Sequence, residues 1–427
     1  LKGSACRGGA GARVSGGPSA GVQRAAMAMC RGVWRTRWCH AARQELAGDS
    51  PGCEIAKTEE RGISLVQLRT LATYIRCHCT SDKWTSTCPD ALGQHLLPER
   101  VNLYDLTKHL ILPLTQTRRC SYVELVAFGA QRPRWFVSHW WGEPVLLFVT
   151  ILRQHCSDRG LGEECVYWVC AYANNQWHLG GQVTADPQQS AFRRAMDLSD
   201  GTVSVFDRKA QCLHRVWCAY EIFVSLTVAR KPPYLYDMYA VSGAGAAVGY
   251  TDGLAEVDEV AGREAFWQHR GGAHAHKARR EAGFPIDIAQ MALGVRLQDA
   301  QASREEDRRH ILNAIAERDL ELEPLLAHSM YGHVTDALRW RLGVAMHASV
   351  PEEVPFRSLS EPAGWQRQAL SAYAGLTAAF GARGMYALCS DVWARILKIQ
   401  RDSLGSCHPD VAATYNNMAS ILVSNGN

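Results

Sequence analysis

Three short apolar runs, Trp135–Ser138, Val166–Cys170 and Thr202–Phe206, recur with enough chain between them for a helix each time. Antiparallel neighbours can be joined by a tight turn, whereas parallel ones need a crossover, usually a helix. This rhythm therefore predicts a parallel sheet with both faces covered, and such sheets gather ligands beyond the carboxyl ends of their strands. A polar group follows each run. Ser138-His139-Trp140-Trp141-Gly142 follows the first, Asn174-Asn175-Gln176-Trp177-His178 the second, and Asp207 the third. Trp217-Cys218-Ala219-Tyr220-Glu221 then opens the next helix, and a last strand at Tyr234–Val241 closes the block.

The flanking regions read as helical. Leu65, Leu68, Leu71, Ala72 and Ile75 follow helical spacing, and further helices are expected at Asn102–Leu112, with Pro113 as a breaker, and at Ser121–Phe128. Pro144 suits the first turn of a helix running through Leu152, and another helix is expected at Gln189–Leu198. Residues 243–282 read as a flexible linker, small-residue first and then a basic loop containing His274-Ala275-His276. Residues 283–355 read as a helical connector, with Ile288, Met291, Ile311, Leu312 and Ile315 on apolar faces.

Composition narrows the function classes. At 427 residues the chain is too long for one ordinary domain, and a formal charge of +4 gives no sign of a nucleic-acid or membrane role. The longest apolar stretch, around Pro144–Leu152, is too short to span a bilayer. Fifteen scattered cysteines, an odd number, read as free thiols in a reducing compartment, and a cytoplasmic location is expected. Cys77-His78-Cys79 and Cys88 lack the paired spacing of a zinc site, so no metal is expected, and no cofactor is assigned. Residues 1–60 read as a disordered or leader segment; the first 44 carry no acidic residue, as a transit peptide also would. Nucleotide-binding glycine loops, H-E-x-x-H and G-x-S-x-G are absent, which removes support for kinase, dehydrogenase, zinc-protease and serine-hydrolase readings.

Two resemblances add to this. Ile399–Gly426, reading I-Q-R-D-S-L-G-S-C-H-P-D-V-A-A-T-Y-N-N-M-A-S-I-L-V-S-N-G, resembles the tetratricopeptide repeats of kinesin light chains, with Gly405, Pro409 and Asn416-Asn417 in register. It implies that 356–427 begin a repeat array cut short at residue 427, a scaffold for protein partners. The block 133–242 is similar to Toll/interleukin-1 receptor (TIR) domains. The likeness rests on Phe136-Val137-Ser138-His139 ending the first strand, on Gly180-Gly181 after the second, and on the W-C-x-x-E of Trp217–Glu221. Trp140-Trp141 and Asn174-Asn175-Gln176 depart from ordinary TIR sequences. The expected class is α/β plus all-α: a TIR/flavodoxin-like parallel-sheet module after a helical region (61–132), followed by the start of an α-solenoid.

The TIR resemblance implies self-association, and the whole chain reads as a protein–protein interaction scaffold in signalling. The alternative is NAD hydrolysis, since some TIR domains cleave NAD with the glutamate that corresponds to Glu221. A carboxylate there would stabilise the positive charge that builds on ribose, while Trp140, Trp141 and Trp177 would offer aromatic faces and His139 would orient a phosphate or the glutamate. Each residue also has a plain structural reading. Glu221 suits a helix cap, His139 a strand-end hydrogen-bonder, the tryptophans an anchor over the sheet, and Asp207 a turn.

Overall fold

Strand alternation decides how the sheet is covered. The strands are β1 (Ile63–Ser64), β2 (Trp135–Ser138), β3 (Val166–Trp168), β4 (Gly201–Phe206), β5 (Leu235–Val241) and β6 (Ala247–Tyr250). They form one mixed six-stranded sheet in the order β1-β3-β2-β4-β5-β6. The four central strands are parallel, and β1 and β6 close the two edges antiparallel. The chain is described here by a computed structural model over residues 38–178, 186–242, 245–268, 272–348, 377, 380–381 and 386–424.

Side chains on successive strand residues point to opposite faces. Phe136, Trp168, Tyr236, Met238 and Ala240 enter one core, while Trp135, Val137, Tyr167, Val203, Val205 and Tyr239 enter the other. The second core is covered by α1 (Leu65–His78) and α2 (Val145–Asp158), which pack on each other. Ser64 starts α1 through a capping box with Gln67, and Pro144 sits at the N-cap of α2, one residue outside the expected first turn. The first core is covered by α3 (Ala191–Leu198) and α4 (Val216–Thr227).

Several expected boundaries move. Residues 38–47 form a helix whose Ala42 and Leu46 are buried, and Ser50 donates to the Ala127 carbonyl at 2.8 Å, so this part of the expected leader is built into the fold. Residues 1–37 lie outside the described residues. Pro113 breaks nothing: helical turns run from Leu103 to Thr115, with one π-turn at Thr107–Ile111 that leaves room for the ring.

The described residues of the expected linker at 243–282 are ordered structure instead. They contribute β6, then α5 (Glu256–Gln268) and α6 (Ala273–Glu281). The described part of the expected basic loop lies in α6, and His276, Lys277 and Arg280 are paired. Arg280 donates to Asp258 at 2.7 and 3.1 Å, and His276 Nδ1 lies 2.8 Å from the same carboxylate. Lys277 pairs with Glu281 and reaches the Thr251 carbonyl. Small residues misled the reading, because charge pairing rather than apolar burial orders this segment.

Next come α7 (Ile286–Leu293), α8 (Glu305–Ile315) and α9 (Ser329–Ala348). They are no separate connector: Ile288, Ile311, Leu312, Leu338 and Leu342 join the core under α4. Finally α10 (Tyr386–Leu404) and α11 (Pro409–Ser424) form a helical pair, turned at Gly405, whose φ of +86° lies in the left-handed region that glycine tolerates.

The two layers are tied at Asp237, in the middle of β5 and fully buried. Arg159, just past α2, donates two hydrogen bonds to it at 2.6 and 2.8 Å, and His155 Nε2 lies 3.2 Å away. The Asp252 N–H adds a third donor at 2.8 Å. Burial alone would raise the Asp237 carboxyl, but the His155 and Arg159 hydrogen bonds outweigh it and hold the group at about 2. Its contribution to stability is thus present above the ordinary 3.8 and lost as pH falls through about 2. Asp237→Asn, which leaves Arg159 buried without its counter-charge, is expected to cost about 3–5 kcal/mol in urea denaturation at pH 7. That deficit should shrink as the pH is taken down toward 2.

Candidate functional site

The carboxyl ends of β2 and β4 and the first turns of α4 bring together residues far apart in sequence. Ser138 ends β2 at 1% exposure, and His139 follows at 6%. The chain then turns, with the Glu143 N–H donating to the Trp140 carbonyl at 3.1 Å, which tucks Glu143 inside at 2% exposure. Glycine is required within this turn, since a Cβ on Gly142 would lie 2.3 Å from the Trp140 ring. From α4, Cys218 donates to the His139 carbonyl at 3.6 Å, and Glu221, one turn further, is 4% exposed.

These polar groups are buried without being satisfied. Ser138 Oγ, His139 Nε2, both carboxyl oxygens of Glu143 and Glu221 Oε2 have no hydrogen-bond partner among the described residues. Burial drives the Glu221 carboxyl up to about 8. The Ser138 hydroxyl and Cys218 thiol are close enough to moderate that rise, although neither Ser138 Oγ nor Glu221 Oε2 completes a hydrogen bond of normal geometry. Glu143 is likewise raised well above the usual carboxylate range, by burial first and by the charge of Asp207 second. The Cys212 thiol is raised chiefly by its own burial, then by Cys218, Asp207, Glu143 and Glu221. Burial lowers His139 to about 4, so its ring is neutral at pH 7.

Of the residues expected at the site, Ser138 and Glu221 meet, whereas the His139 ring turns to the opposite face of the sheet, 5.1 Å from Phe148. Asp207 borders the cluster but is occupied as a turn-former, accepting from the Gln211 N–H at 2.6 Å and the Lys209 N–H at 3.3 Å. The tryptophan pair splits. Trp140 packs against the α4 side, while Trp141 packs on the opposite core, donating from its indole to Cys170 at 3.1 Å with its ring 5.4 Å from Tyr104. Trp177 is not at the site: its indole donates to Thr115 at 3.0 Å and its ring lies under Arg119. Trp217 faces away, stacked on Phe192 at 4.9 Å and donating to Asp307. Gly180-Gly181 lie outside the described residues.

Glu143 is the residue the sequence reading missed. The available signal was a carboxylate in an otherwise apolar run, immediately before a helix-opening proline. Among the described residues no group of histidine, cysteine, aspartate and glutamate is arranged to hold a metal ion. Chemically, the cluster offers hydrogen-bond acceptors and latent negative charge. No protein-family model, curated protein or solved structure matches the chain.

Because the folded state holds the Glu221 proton up to about 8, its contribution to stability is full below the ordinary 4.5 and lost as pH rises through about 8. Glu221→Gln, which keeps a neutral side chain at every pH, should raise Tm by about 2–5 °C at pH 9. It should leave Tm nearly unchanged at pH 5. Thermal denaturation at the two pH values checks this, and an equal effect at both would show that Glu221 carries no such burden.

Proposed function

We propose that the α/β body is a divergent TIR-like module that hydrolyses NAD at the bond between nicotinamide and ribose, with Glu221 as the carboxylate. The observation that carries this reading is the set of buried acceptors without partners around Glu221. Native proteins leave few such groups, because each forfeits its hydrogen bonds to water on burial. A ligand offering ribose hydroxyls, an amide and a positive ring would supply what they lack.

In the reaction, the bond from the ribose carbon to the ring nitrogen breaks, and its electron pair leaves with neutral nicotinamide. The ribose is left as an oxocarbenium cation, which the ionised Glu221 stabilises across the low-dielectric site. Water adds to that carbon and loses a proton, giving ADP-ribose, nicotinamide and H⁺. Glu221 is protonated at neutral pH in the closed site. A pyridinium arriving beside it favours the ionised form, as any nearby opposite charge does. Ser138, His139, Glu143 and Glu221 are all nearly inaccessible, so ligand entry requires movement of the Ser138–Glu143 turn.

A second reading has its own support. The helical pair α10–α11 leaves Leu404, Tyr415, Leu422 and Val423 exposed, the kind of face a tetratricopeptide array uses to stack a neighbour or recruit a protein. A scaffold in signalling, with self-association through the TIR-like module, is compatible with catalysis, since assembly can complete a pocket. A cytoplasmic setting is part of the proposal, supported by the free thiols. Among the described residues no helix is long and apolar enough to cross a membrane.

The test is incubation of the purified full chain with NAD, concentrated and with a crowding agent, followed by chromatographic assay of nicotinamide. Release is expected, rising with pH through the region around 8 as Glu221 ionises. It should fall by about 100-fold or more in Glu221→Gln with the fold intact. No release from assembled protein overturns the hydrolase reading and leaves the scaffold.

A further inference from the structure

The orphaned atoms at the sheet edge share one property. His139 Nδ1 faces the Val137 carbonyl at 3.4 Å, which places the proton of the neutral ring on Nδ1 and leaves Nε2 as an acceptor. Both Glu143 oxygens and Glu221 Oε2 are acceptors as well once the carboxyls ionise, which leaves Ser138 as the donor of the set. Asp207 adds negative field but no free valence, its oxygens being taken by the Gln211 and Lys209 N–H groups. Among the described residues, no Lys or Arg ion pair and no hydrogen-bond donor of normal geometry reaches Glu143 or Glu221 Oε2, whereas Glu124, Asp158, Asp237, Asp258 and Glu281 each have a cation and the fully buried Asp105 accepts from Thr87 and the Asn102 N–H. The fold thus supplies cations or N–H and O–H donors to its other deeply buried carboxylates and neither to these two.

From this placement we infer that Glu143 is a specificity-determining residue that reads positive charge on the ligand, making the pocket selective for a flat organic cation over a neutral molecule of the same shape. The inference rests on the hydrolase reading only for the location of the pocket. Glu221 sits on α4 one turn beyond Cys218, whereas Glu143 closes the turn beyond β2 through its N–H bond to the Trp140 carbonyl. The two carboxyls therefore have separate jobs: Glu221 meets the ribose, and Glu143 holds the charged ring.

The probes are 1-methylnicotinamide, a pyridinium cation, and nicotinamide, its neutral counterpart, titrated calorimetrically into the full chain at pH 8. Wild type is expected to bind the cation at least about tenfold tighter, a difference of about 1.4 kcal/mol. Glu143→Gln should erase that preference, while Glu221→Gln should keep most of it. Thermal denaturation of Glu143→Gln, which removes a buried carboxyl without changing its shape, verifies that the variant is folded. Equal affinity of wild type for both probes, or a preference that survives Glu143→Gln, overturns the inference even if NAD is cleaved. A Glu143-dependent preference without NAD cleavage upholds it while the hydrolase reading fails. If neither probe binds and NAD is cleaved, Glu143→Gln must raise KM with kcat little changed; any other split overturns it.

Discussion

Asp237 is the interaction on which the rest of this structure depends. A carboxylate in the middle of a central strand would ordinarily be expelled from a sheet core, because an unpaired buried charge costs several kcal/mol. Here it is held by Arg159 and His155 from the α2 side and by the Asp252 N–H from the loop after β6. Arg159 also donates to the Asp252 and Leu254 carbonyls, so the same guanidinium anchors that loop. The relay continues outward: Tyr239 donates to Asp158 at 2.8 Å, Arg280 lies 3.5 Å from Asp158, and Arg280 and His276 both meet Asp258. One chain of charges thus fixes α2, β5, β6, α5 and α6 relative to one another.

That network makes the site's character legible by contrast. At the β5 end of the sheet every deeply buried carboxylate has its cation, its amide donors, or both. At the carboxyl edge of β2 and β4, in the same molecule and at the same burial, Glu143 and Glu221 have neither. General tolerance of buried charge does not explain the difference, since the fold is capable of satisfying such groups and does so within a single domain. What separates the two ends is their relation to the strand termini, where parallel sheets form crevices because adjacent crossovers diverge.

The sheet was legible because its strands are buried on both faces and therefore read as continuous apolar runs; Trp135–Ser138 was located to the residue. That Ser138 and Glu221 are neighbours was legible because topology alone carries the end of β2 and the start of α4 to one edge. Trp177 was not, since its loop returns to pack on Thr115, and a loop's path is set by contacts that local pattern does not encode. The segment after β5 was misread for a related reason. Its helices are small-residue and charged, and they are ordered by ion pairs between residues about 20 apart, such as Arg280 with Asp258, which leave no apolar periodicity to find. Glu143 was missed because a single carboxylate beside a proline carries no pattern at all.

The carboxyl edge has a consequence for how ligand and proton are coupled. With Glu143 and Glu221 raised by burial, the folded chain is at rest when both are neutral, and stripping them of protons without a counter-charge costs stability. A cation entering the pocket reverses that balance: it favours the ionised carboxyls and so releases protons as it binds, by the same linkage that makes pH oppose it at low values. A neutral ligand gains nothing from the exchange. If the proposed cation is the ligand, latent charge keeps the cluster uncharged until it binds.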